Sequence, residues 1–171
     1  YINKNEAFTR LNNIFNNKQA GFEYLRNTLI FERMLDEVIT FNRKINWESN
    51  SANLKLVTTA EEFIKICNLR SEIYGNLGYQ KEFPDFLPNM NFDFYDLNSA
   101  IIYNLTNSEI TATCRLIFDS DKKLPIEEKL DLSSIRSKFQ NIAEVSRLMV
   151  KKEQKGLNLD FKYLTLGIYN I

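Results

Sequence analysis

Residues 99–118 read Ser-Ala-Ile-Ile-Tyr-Asn-Leu-Thr-Asn-Ser-Glu-Ile-Thr-Ala-Thr-Cys-Arg-Leu-Ile-Phe. Two runs rich in β-favouring residues flank the polar pair Asn107-Ser108, which predicts a hairpin. The first strand is apolar over Ser99–Leu105, and the second runs from Ile110 to Phe118. The second strand alternates. Ile110, Ala112, Cys114, Leu116 and Phe118 occupy one face, and Thr111, Thr113, Arg115 and Ile117 the other.

Working outward, a polar excursion with Pro125 and a short helix around Ser134–Gln140 leads to a third strand, Ala143–Val150. Gly156 precedes a final helix from Leu159 to the end. Upstream, Leu54–Val57 alternates as a short strand. Thr59-Ala60-Glu61-Glu62 then has capping-box spacing, Thr59 capping and Glu62 reaching back. The helix it starts runs to about Tyr74, where Gly75 and Gly78 end it. An irregular stretch, Gln80–Asn91, carries Pro84 and Pro88. The order strand, helix, loop, strand, strand, strand, helix predicts an α+β or mixed α/β domain, its sheet mostly antiparallel, with flanking helices.

Residues 1–50 differ in texture and read as a helical N-terminal extension. Ala7, Leu11, Ile14 and Phe15 form a short apolar stripe. Phe22, Leu25, Leu29, Phe31, Met34, Leu35, Val38 and Phe41 form a longer one. A helical hairpin packed on the domain, or a homodimer contact through residues 1–50, accounts for both. Asn50-Ser51-Ala52-Asn53 is the linker, and the domain proper spans 54–171. A chain that stops after a helix lacks the strand to which that helix returns, so the domain is expected to continue past Ile171.

The chain has 171 residues, no histidine, and 22 Lys+Arg against 22 Asp+Glu. Without histidine there is no Ser-His-Asp triad, Cys-His pair or imidazole metal site. Acid–base chemistry falls to a carboxylate, lysine, tyrosine or water. Cys67 and Cys114 are too few for a cysteine-built zinc site. Zero net charge argues against a general nucleic-acid binder. No apolar run approaches a membrane span, and the default is a cytoplasmic protein.

The informative residues are charges in apolar settings. Arg70 lies on one helix face with Phe63, Cys67 and Tyr74. Asp93 and Asp96 flank Phe94-Tyr95 just before the hairpin, and Glu144 and Arg147 sit inside the third strand. A buried charge must pair or meet a charged ligand, and the arginine fork suits either. Three acids and three arginines together favour a polar pocket. Glu144 and Arg147 are three apart, so a regular strand sends them to opposite faces. Either they serve different layers, or a β-bulge shifts the register and frees backbone N–H groups.

Asp93-Phe94-Tyr95-Asp96 before a strand, Cys114-Arg115-Leu116 on the next, and Glu144-Val145-Ser146-Arg147-Leu148 on the one after resemble a specific enzyme group. These are the acyl-homoserine-lactone synthases and long-chain N-acyl amino acid synthases of the GCN5-related N-acyltransferase (GNAT) superfamily. Arg70 and Tyr74 resemble the Arg and aromatic of that group's first helix, and Pro125 after Lys122-Lys123-Leu124 also fits. The resemblance covers about Leu54–Ile171 and implies a GNAT-like central sheet.

It implies an N-acyltransferase that moves an acyl group from an acyl-carrier-protein or CoA thioester to the amine of an amino acid or similar small molecule. The thioester is then a co-substrate, with no permanently bound cofactor. Glu144 resembles the group's general base, with Ser146 and Arg147 orienting the substrate or stabilising developing charge. Arg70, Tyr74, Asp93, Asp96 and Arg115 shape the amine side. Lys151, Lys152 and Gly156, in the loop before the last helix, meet the phosphates of the donor or an acidic carrier protein. Homoserine-lactone synthases carry a tryptophan and a glutamate where Tyr79 and Asn91 stand here; the only tryptophan is Trp47, in the extension. This departure favours the amino-acid branch over use of S-adenosylmethionine. A non-catalytic interaction protein is the third reading.

Overall fold

The computed structural model describes residues 13, 18–49, 51–151, 159–169 and 171. The stripe Ala7, Leu11, Ile14 and Phe15, Asn50 of the linker, and Lys152 and Gly156 lie outside the described residues. The elements are α1 (Lys18–Arg43), β1 (Leu54–Leu56), α2 (Ala60–Leu77), β2 (Ser99–Thr106), β3 (Glu109–Phe118), α3 (Ser133–Arg136), β4 (Ala143–Val150) and α4 (Leu159–Tyr169). The four strands form one antiparallel sheet in the order β1-β2-β3-β4, a mixed α+β architecture.

The predicted hairpin is the centre of this sheet. Asn107 and Ser108 both take left-handed backbone, φ 52° and 66°, the geometry of a two-residue turn that matches strand twist. The alternation on β2 separates two cores, and Ile110 packs on the first of them and not with Ala112 and Cys114 as its spacing predicts. Ile101, Tyr103, Val57, Phe63, Cys67 and Val38 fill the face under α1 and α2. Leu54, Ala100, Ile102, Cys114, Leu116 and Leu164 fill the face under α4.

Thr59 caps α2 as its spacing predicts, with both bonds of the box formed. The helix continues one turn past Tyr74. Gly75 stays helical, and Gly78 at φ 75° makes the stop, with Gly78 N–H bonded to Gly75 O and Tyr79 N–H to Tyr74 O. The short helix α3 starts at Ser133 and is only one turn long.

The long apolar stripe of α1 does not stay on one face. Phe31, Met34 and Val38 are buried, but Phe22 is 73% exposed and Leu29 66%. Phe22 and Phe31 are nine residues apart, as are Leu29 and Val38, which is half a turn out of phase at 100° per residue. The C-terminal half of α1 packs into the core.

Asn42 fixes it there. This side chain is buried and stands in for a strand residue beside β2. Its Oδ1 accepts from Ile101 N–H at 2.9 Å, and its Nδ2 donates to Ser99 O at 3.0 Å and Val38 O at 2.9 Å. Truncating it strands a buried N–H and a buried carbonyl. Asn42→Ala should therefore cost about 2–4 kcal/mol in urea unfolding; a loss below about 1 kcal/mol would show that water replaces the amide.

Candidate active site

Four elements converge on one buried ion cluster. Arg70 projects from α2, at 0% exposure, and donates from Nη1 to both oxygens of Asp96 at 2.9 and 3.0 Å. Arg115, 1% exposed, projects from β3 and bonds through Nη1 to Asp93 and to Asp96 Oδ1, the latter at 2.9 Å. Its Nη2 reaches Ser146 Oγ on β4 at 3.2 Å. The two aspartates are set by their own turn. Asp96 accepts Asp93 N–H at 3.0 Å and Asp93 accepts Tyr95 N–H at 2.9 Å, which closes the 3-10 turn Phe94–Asn98. The spacing Asp-x-x-Asp is thus a capping box that aims both carboxylates inward.

Burial opposes ionisation of Asp96. The guanidinium groups of Arg70 and Arg115, helped by the Asp93 N–H, outweigh it and hold the carboxyl below its ordinary range. Burial likewise opposes the charge on Arg115, and the two aspartates outweigh it.

A bulge on β4 answers the phase problem. Arg115 pairs with Ser146, and Thr113 with Met149, so one β3 residue faces two on β4, Arg147 and Leu148. Arg147 takes φ 53°, a left-handed conformation unusual for a side chain of this size. Glu144, Ser146 and Arg147 consequently line the same cleft, of about 430 Å³. Arg147 Nη1 donates to Tyr74 Oη at 3.1 Å, and Nη2 to Glu82 O at 2.9 Å and Asp93 Oδ2 at 3.3 Å. Its guanidinium carbon lies 3.9 Å from the centre of the Phe83 ring.

Arg70, Arg115 and Arg147 face Asp93, Asp96 and, 3.9 Å from Arg147, Glu82, so the cluster is balanced, three charges of each sign. Among the described residues Arg70 Nε and Nη2, Arg115 Nε and Arg147 Nε have no hydrogen-bond partner. Arg115, Lys129 and Arg147 line the cleft and are its groups suited to an anion. Glu144 lines the same cleft, and Ile126 N–H donates to its Oε2 at 2.9 Å. An apolar groove of about 560 Å³ opens beside it, sharing Ile126 and Glu144 with the cleft and lined by Leu132, Ile135, Ile142 and Val145.

A family model described as N-acyl amino acid synthase FeeM matches residues 65–170, a span that holds the whole cluster and cleft. The chain belongs to the N-acyl amino acid synthase FeeM family. Neither the curated proteins nor the solved structures gave a match. Membership in the FeeM family implies an acyltransferase.

Of the residues predicted from sequence, Arg70, Tyr74, Asp93, Asp96, Arg115, Glu144, Ser146 and Arg147 come together. Lys151 does not join them. Its ammonium is 3.6 Å from Glu109 in a separate hollow that it shares with Lys65 and Glu72. Sequence reasoning missed Phe83, the carbonyl of Glu82, the N–H of Ile126, and Tyr95 with Glu128, whose side chains bond at 3.2 Å beside the cleft. An aromatic between charges in the Pro84 loop was the one signal for Phe83. The two thiols are buried, and burial pushes Cys67 up and Cys114 up to about 12, so neither is a nucleophile at neutral pH. Among the described residues no helix is long and apolar enough to cross a membrane.

Proposed function

We propose that the chain transfers an acyl group from an acyl-carrier-protein or CoA thioester to the amino group of an amino acid. The observation that carries this reading is the bulge at Arg147, which sets a carboxylate and a guanidinium against one cleft.

A zwitterion fits that polarity. Its carboxylate lies toward Arg147 and Arg115, and its ammonium toward Glu144. Glu144 takes a proton from the ammonium, and the freed amine attacks the thioester carbonyl. The new C–N bond forms, the tetrahedral intermediate collapses, and the C–S bond breaks. The thiol leaves with a proton and the amide remains. The aliphatic groove at Glu144 supports a long acyl chain on the donor.

Full-length protein incubated with long-chain acyl-CoA or acyl-carrier thioester and mixed amino acids should yield N-acyl amino acids by mass spectrometry. Amino-acid methyl esters, lacking the carboxylate, should be poor acceptors. Equal use of ester and acid, or release of methylthioadenosine from S-adenosylmethionine in place of amino-acid acylation, would overturn the assignment.

A further inference from the structure

The excursion between β3 and β4 holds a charged cluster outside the cleft. Arg136, on α3, forks onto two carboxylates. Its Nε donates to Glu127 Oε1 at 2.8 Å and its Nη2 to Glu127 Oε2 at 2.6 Å. Nη1 and Nη2 also engage both oxygens of Asp119, the second at 2.8 Å. Asp119 directly follows β3, and its N–H bonds Ile142 O at 3.2 Å just ahead of β4.

Glu127 passes the constraint inward. Its Oε2 accepts Leu124 N–H at 2.8 Å, and its own N–H donates to Leu124 O at 2.9 Å, which closes the 3-10 turn Pro125–Glu128 on the buried Leu124. Inside this turn is Ile126, the residue whose N–H holds Glu144. An unbroken path of hydrogen bonds and one tight turn thus joins Arg136 to the carboxylate.

We propose that Arg136 is a positioning residue for acyl transfer: its two-sided fork locks the Pro125–Glu128 turn, so that Ile126 N–H orients Glu144 toward the cleft. This rests on the reading of Glu144 as the base. The planar guanidinium can grip both carboxylates at once, which an ammonium cannot. The side-chain bonds from Arg136 pull the Glu127 carboxyl down to about 2, so the clamp stays charged at any neutral assay pH. The Arg136 side chain is 33% exposed but Glu127 is 7%, and the fork is bidentate, so its loss registers in Tm as well as in kcat and the kinetic coupling to Glu144 is the discriminating readout.

The test is a kinetic double-mutant cycle on the full-length protein. Arg136→Gln should lower kcat by roughly tenfold or more with acceptor KM within about twofold, because small misplacements of a reacting group are costly. Arg136→Lys should recover part of the loss. In a Glu144→Gln background, Arg136→Gln should cost nothing further, since the two act as one unit. An equal loss in both backgrounds, or an unchanged kcat, overturns the inference. If Arg136→Gln fails to fold, Asp119→Asn keeps the Glu127 half of the fork and should show a smaller loss with the same non-additivity. A fully active Glu144→Gln would defeat the base assignment itself. An inactive Glu144→Gln beside a silent Arg136→Gln would defeat the positioning role alone.

Discussion

Glu144→Gln should lower kcat by roughly 10²- to 10⁴-fold, the range that a positioned general base contributes. Glutamine keeps the shape of the side chain, and its amide oxygen can still accept Ile126 N–H, so the turn above it stays in place. What it cannot do is take a proton from an ammonium. The loss should therefore appear in kcat and still more in kcat/KM, because the acceptor's ammonium also loses its counter-charge, while urea unfolding changes little. Full retained activity would remove Glu144 from the chemistry. The cleft would then need another base, and in a chain without histidine the remaining carboxylates on its walls are Glu82, Asp93 and Glu128. Asp93 is tied to two arginines, and Glu128 accepts from Tyr95. None of the three has Glu144's place on the bulged strand.

The central hairpin was legible because alternation, turn and length agree over most of residues 99–118; only the register shift at Asn104/Leu105, which moves Ile110 to the other core, left no mark. The site residues were legible for a different reason. A charge inside an apolar run costs too much to be incidental, so Arg70, Arg115 and Asp96 stood out before any geometry. Other features left no local mark. The bulge was one of two readings of Glu144 and Arg147, and its defining position is an arginine at φ 53°, where a glycine would have announced it. Asn42 looks like any helix asparagine, because its partners, Ser99 and Ile101, are far along the chain. Arg136 looks like a surface charge until Asp119 and Glu127 are seen on either side of it. The stripe on α1 misled because its apolar residues are dense enough to suggest one face, while their phase divides them between two.

Asp96→Asn should cost about 3–5 kcal/mol in urea unfolding, the range for removing one partner of a buried pair. Among the described residues Asp96 is the partner Arg70 has: Arg70 Nε and Nη2 are unpaired, and Nη1 is bonded to Asp96 alone. Losing the aspartate charge leaves three guanidinium groups facing Asp93 and the more distant Glu82. Arg70→Met should cost clearly less. It takes two unsatisfied donors with it and leaves Asp96 paired with Arg115, while methionine suits the neighbouring Phe63 and Cys67. In the double variant the second substitution should offset part of the first. The order Asp96→Asn well above Arg70→Met is the decisive result, and the reverse order would mean that desolvating Arg70 is already compensated. Acid should mimic the aspartate substitution. The folded-state pKa of Asp96 lies below its ordinary 3.8, so the folded protein holds this proton less readily than the unfolded chain does. The stability it contributes is fully present above that ordinary value and is lost as pH falls toward the depressed one. Wild type should lose stability through this window, and Asp96→Asn should lack that part of the decline.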